Sequence, residues 1–435
     1  MKSLVVRLLA WKARKIVETY RPTVVAVTGS VGKTSTKAAI VEVLSGRFRV
    51  GTSPGNFNTD VGVPLAIIGE TQEPGRSPIA WMKLFAKADM LLLKRKADYP
   101  NILVLEFGAD APGDMKKLCG IARPDISVLT AISPVHLANY PSMQALVEEE
   151  GTNVLSTKAT GLVVLSADDA QAMGFRDRSP APVTTFGLDA GADVRAEGVT
   201  IQTRDDFSFS PAETFAKTAF TLVTRQSRLD AVLPNLVGAS FVKSALAAAA
   251  VGLHLGLSLD EIVARFASVP QVPGRMRPIA GIKGSLILDD SYNAAPASMR
   301  AALEVLASFR PIGEARRIAA LGHMAELGPV SEEEHHHLGR LVAEKGIDLL
   351  VTVGEMSLDT RRSAIEAGID EAHAVHFATP EEAGRFLDRT VRQGDVVLVK
   401  GSQSARMEKV TKDLMAEPLL AETLLVRQYG KWLLE

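Results

Sequence analysis

The stretch that decides the fold is VVAVTGSVGKTSTKAAI, residues Val24 to Ile40. A short apolar run closes on Thr28, a turn passes through Gly29, Ser30, Val31 and Gly32, and Lys33, Thr34 and Ser35 open a helical pattern. Such a turn aims backbone N–H groups and a helix N-terminus at an anion, the lysine reaches the β- and γ-phosphates, and the hydroxyl coordinates Mg²⁺. The sequence therefore predicts that Gly29 to Ser35 hold the phosphates of a nucleotide, with Thr34 on the metal. The spacing is GxxGKT, shorter than the GxxxxGK[ST] of common phosphate loops, so ordinary GTPases and kinases match poorly.

Moving outward, apolar runs alternate with helical periodicity up to about Val135, as in NILVLEFGAD and DISVLTAIS. Short buried strands separated by helices predict a parallel α/β sheet with its functional loops at the C-terminal ends of the strands. Glu106 closes the run ILVLE, where a carboxylate has little to do in a core and a good deal to do with a metal. His136 follows the run SVLTAI in the same way, as a metal ligand or as a structural histidine. Residues 160 to 234, with GLVVLSADD, DVRAEGVTIQT and DFSFSPA, read as an antiparallel excursion. A helical, alanine-rich stretch follows. Pro270 to Arg275 read as a linker into a second, Rossmann-like α/β alternation. The division is an amphipathic helix over 1–22, a nucleotide-binding unit over 23–272 and a C-terminal unit over 273–435.

Composition bounds the class. The chain has 435 residues, 46% hydrophobic and 23% charged, with a net charge of −1 and one cysteine, Cys119. That balance gives no reason to propose nucleic acid as a partner, and one cysteine excludes a disulfide framework or a cysteine-rich zinc site. No run reaches the roughly 18 apolar residues that span a bilayer. A monomer in the reducing cytoplasm fits best. In the first helix Leu4, Leu8, Trp11 and Lys15 share one line, so it packs on the following domain or makes weak contact with a membrane surface. Residues 80 to 99 mix apolar and basic side chains and read as a packed helix.

Taken together, TGSVGKTSTK, GNFNTDVGVPL, LEFGADAPGDM and SPVHL resemble the central ATPase domain of the Mur ligases. LDDSYNAAPASMRAAL, LGHMAELGPVSEEEH and VLVKGSQSARMEKV are similar to the C-terminal domain of the MurF branch, which joins D-alanyl-D-alanine to UDP-N-acetylmuramoyl-tripeptide. The resemblance implies ATP and Mg²⁺, a muropeptide carboxylate activated as an acyl phosphate, and a peptidoglycan precursor as product. It implies metal ligation by Thr34, Glu106 and His136 and phosphate contact by Arg275. It also implies ribose contact by Asp290, muropeptide contact by Asn56 and Asn58, and an amine-substrate side lined by Lys400, Ser402 and Arg406.

Departures from the family pattern carry their own expectations. Only about twenty residues precede the first strand, where the family has a UDP-binding domain, so the UDP group is held differently or the acceptor is not a standard UDP-linked precursor. The family's carbamylated lysine falls on Glu150, which either supplies the missing carboxylate to the metal or belongs to a solvated helix face with Glu148 and Glu149. Ala295 and Ala297 stand where the family has polar groups, and Gly238 to Phe241 lack the side chains that approach adenine. His335, His336 and His337 diverge on a helix and cannot share one ion. Neighbouring readings are a folylpolyglutamate-synthase-like or MurT-like ligase, or a non-catalytic nucleotide-binding regulator. The single cysteine argues against the MurT-like form, the C-terminal motifs against the folate form, and Lys33, Glu106 and His136 against the regulator.

Overall fold

A computed structural model of the protein describes residues 2–53, 55, 57–75, 77–134, 137–203 and 214–433. Among the described residues a nine-stranded sheet is built from β1 (Thr23–Thr28), β2 (Val50–Thr52), β3 (Ile102–Glu106), β4 (Ile126–Leu129), β5 (Leu162–Ser166), β6 (Val183–Gly187), β7 (Val194–Thr203), β8 (Ala216–Val223) and β9 (Arg228–Pro234). Their order is β2-β3-β1-β4-β5-β6-β7-β8-β9. Pairing is parallel from β2 through β6 and on to the start of β7, then antiparallel through β8 and β9.

The antiparallel excursion is therefore shorter than the sequence suggested. GLVVLSADD forms β5, a parallel strand buried along its whole length, because its four apolar residues run consecutively and do not alternate with polar ones. DFSFSPA lies outside the described residues.

β1 explains why its run is apolar throughout. Val25 and Val27 pack on one face with Ile40, Val43 and Leu44 of the helix Lys33–Ser45 and with the alanine-rich helix Ala239–His254. Val24 and Ala26 point the other way, into a core with Leu9 and Ile16 of the first helix and Leu65, Leu84 and Leu118. The first helix, Lys2–Tyr20, buries Leu9, Ala13 and Ile16, while Leu4, Leu8 and Trp11 face outward.

A second sheet comprises β10 (Arg277–Ala280), β11 (Leu286–Asp290), β12 (Arg317–Gly322), β13 (Leu349–Val353), β14 (Ala374–Phe377) and β15 (Val396–Lys400). Its order is β10-β11-β15-β12-β13-β14, with β10 antiparallel to β11 and the rest parallel. The linker runs between the helix Leu259–Phe266 and β10.

Candidate functional site

β1 sits where the strand order reverses, with β3 on one side and β4 on the other, so the loop after it opens into a crevice at the strand C-termini. Gly29 and Gly32 take φ of 128° and 88°, conformations that a side chain disfavours. A Cβ on Gly29 would fall 2.3 Å from the Thr130 hydroxyl and 2.9 Å from the Ala131 carbonyl oxygen. The loop leaving β4 clamps the phosphate loop: Ser30 N donates to Ala131 O at 2.7 Å, and the Thr130 hydroxyl donates to Val31 O at 2.6 Å. The Lys33 ammonium folds back to donate to Gly29 O. The Ser30 hydroxyl is buried without a hydrogen-bond partner, a polar group facing a loop suited to an anion.

Glu106 lies across from the loop, at the end of β3. Its Oε1 accepts from the Thr34 hydroxyl at 3.3 Å and from Asn58 Nδ2 at 3.4 Å. Its Oε2 is buried and accepts no hydrogen bond, although the Lys37 ammonium stands 3.3 Å away in ion-pair range. A hydroxyl and a carboxylate with an unfilled buried oxygen are hard oxygen donors, and they fit Mg²⁺. Lys37 is nearly fully buried and also donates to Ser53 O at 3.2 Å. No sequence signal singled it out, beyond its place one turn after Lys33 on the same helix.

Glu150 turns inward from the helix Met143–Leu155 and is 3% exposed. Its Oε2 accepts from the Thr28 hydroxyl and from Gly29 N at 3.0 Å. Burial pushes this carboxyl above the ordinary range, and the charge of Lys33 opposes that shift. Its neighbours go elsewhere: Glu148 pairs with Arg178, and Glu149 accepts from the backbone of Gly113 and Met115. The three glutamates do not form one solvated face. His136 and Asn56 lie outside the described residues.

The C-terminal unit contributes Arg275, whose guanidinium stacks 4.0 Å from the centre of the Tyr292 ring. Asp290 and Lys400 are register partners at the ends of β11 and β15. Lys400 Nζ donates to Asp290 Oδ2 at 2.6 Å and to Asn293 O at 2.9 Å, and burial lowers its pKa. Lys400, Ser402 and Arg406, expected on the amine side, do not border the cavity between the two units. Lys400 is 1% exposed, and a buried ammonium must be paired, which Asp290 does. Ser402 is buried, with its N–H on His323 O. The Arg406 guanidinium donates to Glu408 Oε1 at 2.6 Å and to Trp432 O at 2.7 Å. Asp290 is occupied as well, its Oδ1 accepting from Met276 N at 3.1 Å.

A cavity of about 910 Å³ joins the two units. Ser30, Val31, Lys33, Asn58, Glu106 and Glu150 border it from the first unit, and Arg275, Tyr292 and Asn293 to Ala295 from the second. Sequence reasoning missed Tyr429, which also borders it, and Arg427, which holds the tail that carries Tyr429. Arg427 donates to Ser291 O at 3.1 Å, Tyr292 O at 2.7 Å and Glu408 Oε2 at 3.2 Å. His335 is buried, accepting from Met324 N and donating to Ser331 O, while His336 faces Arg362 and His337 faces Glu333. The three histidines diverge, as their spacing requires.

Comparison with known proteins gives matches along most of the chain. Residues 83–252 match the family profile described as Mur ligase middle domain, and residues 274–403 match Mur ligase, glutamate ligase domain. The UDP-N-acetylmuramoyl-tripeptide–D-alanyl-D-alanine ligase of Mycobacterium tuberculosis (strain CDC 1551 / Oshkosh) is 31% identical over 412 residues, covering 91% of this chain and 73% of that protein. The Escherichia coli K12 protein of the same name is 31% identical over 395 residues, covering 90% and 76%. The crystal structure of MurF ligase from Thermotoga maritima in complex with ADP aligns with a TM-score of 0.75 at 26% identity, covering 94% of this chain and 83% of that one.

Proposed function

The chain belongs to the Mur ligase family, whose members are ATP-dependent and form amide bonds, and from that premise we propose that it joins D-alanyl-D-alanine to a UDP-N-acetylmuramoyl-tripeptide-like acceptor. The observation that carries this reading is the shared cavity, in which the phosphate loop and Glu106 stand opposite Arg275 and Tyr292. The central unit, residues 23–272, holds the nucleotide, and the C-terminal unit, residues 273–435, closes over it.

The chain's own groups divide the work. The loop amides and Lys33 hold the nucleotide phosphates, Lys33 exchanging its bond to Gly29 O for the anion. Thr34 and Glu106 would hold Mg²⁺, with Glu150 in the place of the carbamylated lysine of the family. A Mg²⁺ held there would supply positive charge to the nucleotide phosphates, whose γ-phosphoryl group goes to the acceptor carboxylate with ADP as the leaving group. Arg275, held over the Tyr292 ring, meets the same phosphates from the opposite wall. The amine then attacks the acyl phosphate carbon and phosphate leaves. Asn58 fixes Glu106 and presents its remaining polar atoms to the acceptor.

A second reading keeps this chemistry and changes the amine. Ala295, which stands where the family has an amide, borders the cavity beside Ala294 and Ser298, so the wall at the second unit offers a methyl group there to the amine. One experiment separates the readings: ADP release with ATP and Mg²⁺, crossing UDP-linked and UDP-free muropeptides against D-alanyl-D-alanine and other amines, with product masses. ADP release with every acceptor absent from the product, or none with any pair, would overturn the ligase assignment.

A further inference from the structure

The first helix and the helix Pro78–Leu93 carry more apolar side chain than the core uses. Leu4, Leu8 and Trp11 are 70%, 43% and 52% exposed and recur at i, i+4 and i+7, forming a stripe apart from the buried line of Leu9, Ala13 and Ile16. On the second helix Ile79, Met82, Met90 and Leu93 are 62%, 66%, 51% and 84% exposed and fall with Ala86 on one stripe, opposite the buried Leu84, Ala88 and Leu91. These two short segments hold seven of the fifteen exposed large apolar side chains among the described residues, a concentration that scattered surface residues do not produce.

The stripes adjoin. Lys12, one turn after Leu8, is nearly buried and pairs with Asp89, one turn before Leu93, so the helices are fastened side by side with both apolar stripes flanking the seam. Tyr20 adds a second tie, donating to Leu91 O at 2.9 Å and stacking on Tyr99. Basic residues ring this face. Residues 2–20 and 78–98 contain ten lysines and arginines against three acids, in a chain whose net charge is −1. Arg7, Lys83, Lys94, Arg95 and Lys96 are all exposed.

We infer that this paired-helix face is a docking surface for an anionic membrane, on which the protein lies peripherally. No helix of the described residues is long and apolar enough to cross a bilayer, so the fit is to its surface. Aliphatic side chains and a tryptophan enter the headgroup boundary while the surrounding cations meet anionic lipid, the two terms that interfacial binding needs. Charge selects this occupant over a second copy of the chain, because a two-fold contact would set the same cationic rim against itself.

Flotation of the whole protein with phosphatidylcholine vesicles, with and without phosphatidylglycerol, tests it. Wild type should float with the anionic vesicles at low salt, stay behind with neutral ones, and release as salt rises, and Trp11 emission should shift to the blue on binding. Lys94→Gln/Arg95→Gln/Lys96→Gln should weaken binding about a hundredfold at low salt. Leu4→Gln/Leu8→Gln/Trp11→Gln should weaken it at least tenfold, and thermal melts confirm that each variant is folded. Absence of flotation by the wild type overturns the inference, as does flotation that both triple variants retain. Self-association that the apolar variant abolishes, without flotation, assigns the face to a second copy and overturns it too.

Discussion

Glu150→Gln changes one charge and almost no volume, so it separates what the carboxylate holds in place from what its charge does. In the structure Glu150 Oε2 accepts from the Thr28 hydroxyl and from Gly29 N. A glutamine carbonyl oxygen can accept both, and the loop keeps its path. Each of two bonds to a charged acceptor becomes a neutral one, a loss of about 1 kcal/mol apiece. Against this, the substitution removes a fully buried carboxylate whose charged form burial disfavours. The two effects oppose each other, and the melting temperature should not fall appreciably.

The catalytic cost is larger. Removing one unit of negative charge beside a cation at contact distance costs about 4 kcal/mol at an effective dielectric of about 20. If that interaction matures with the phosphoryl transfer, kcat drops by roughly a thousandfold. The assay is continuous ADP release with the acceptor and amine identified by product mass, repeated across a Mg²⁺ titration. The expected result is the lowered kcat, a higher half-saturating Mg²⁺ and an unchanged melt. A kcat within threefold of wild type, with the same Mg²⁺ dependence, would refute the reasoning and leave Glu150 as a pin for the phosphate loop only.

Gly29→Ala puts a methyl group 2.3 Å from the Thr130 hydroxyl at a φ of 128°, so a loss of about 3 kcal/mol in urea unfolding is expected, and nucleotide binding should go with it. Asp289 is fully buried and burial raises its carboxyl from 3.8 to about 6, so the native state keeps a proton there that the unfolded chain loses. Stability from this group is complete below pH 3.8 and declines by roughly 3 kcal/mol as pH rises to 6. Asp289→Asn, which can still accept from Gly274 N and donate to Thr411 Oγ1, should flatten that slope, and an unchanged slope in urea titrations between those pH values would assign it to other groups. Arg427→Ala removes one of the two cations on the buried Glu408, leaving Arg406, and strips the donors from the carbonyls of Ser291 and Tyr292, costing about 1–3 kcal/mol. Because Tyr292 carries Arg275, the KM for ATP should rise more than kcat falls, and Arg427→Lys should not restore it, since a single nitrogen lacks the guanidinium fork whose two nitrogens span both carbonyls and the carboxylate. An unchanged KM would detach the tail from the site.

What could be read from the sequence was what the chain writes locally. The strand, the two glycines, Lys33 and Thr34 occur in contiguous order, and the run at β1 is apolar throughout because Val24 and Ala26 face one core while Val25 and Val27 face another. Glu106 was legible for the same reason, as a charge that its own strand could not explain. Ion pairing between distant elements was not legible. Lys37 looks in its helix like any solvated lysine, and only the return of β3 and the Ser53 carbonyl make it a buried partner of Glu106. Lys400 was placed on the substrate side by the family resemblance alone, and register sets it beside Asp290, whose own role had been read separately. The first helix makes the limit plainest. Leu4-Leu8-Trp11 and Leu9-Ala13-Ile16 are both i, i+4, i+7 lines, and periodicity does not say which one a core will take. Once the core takes the second, the first remains as an apolar stripe with cations around it. A stripe that folding leaves unused, beside another of the same kind on a fastened neighbour, has to be accounted for by something outside the chain.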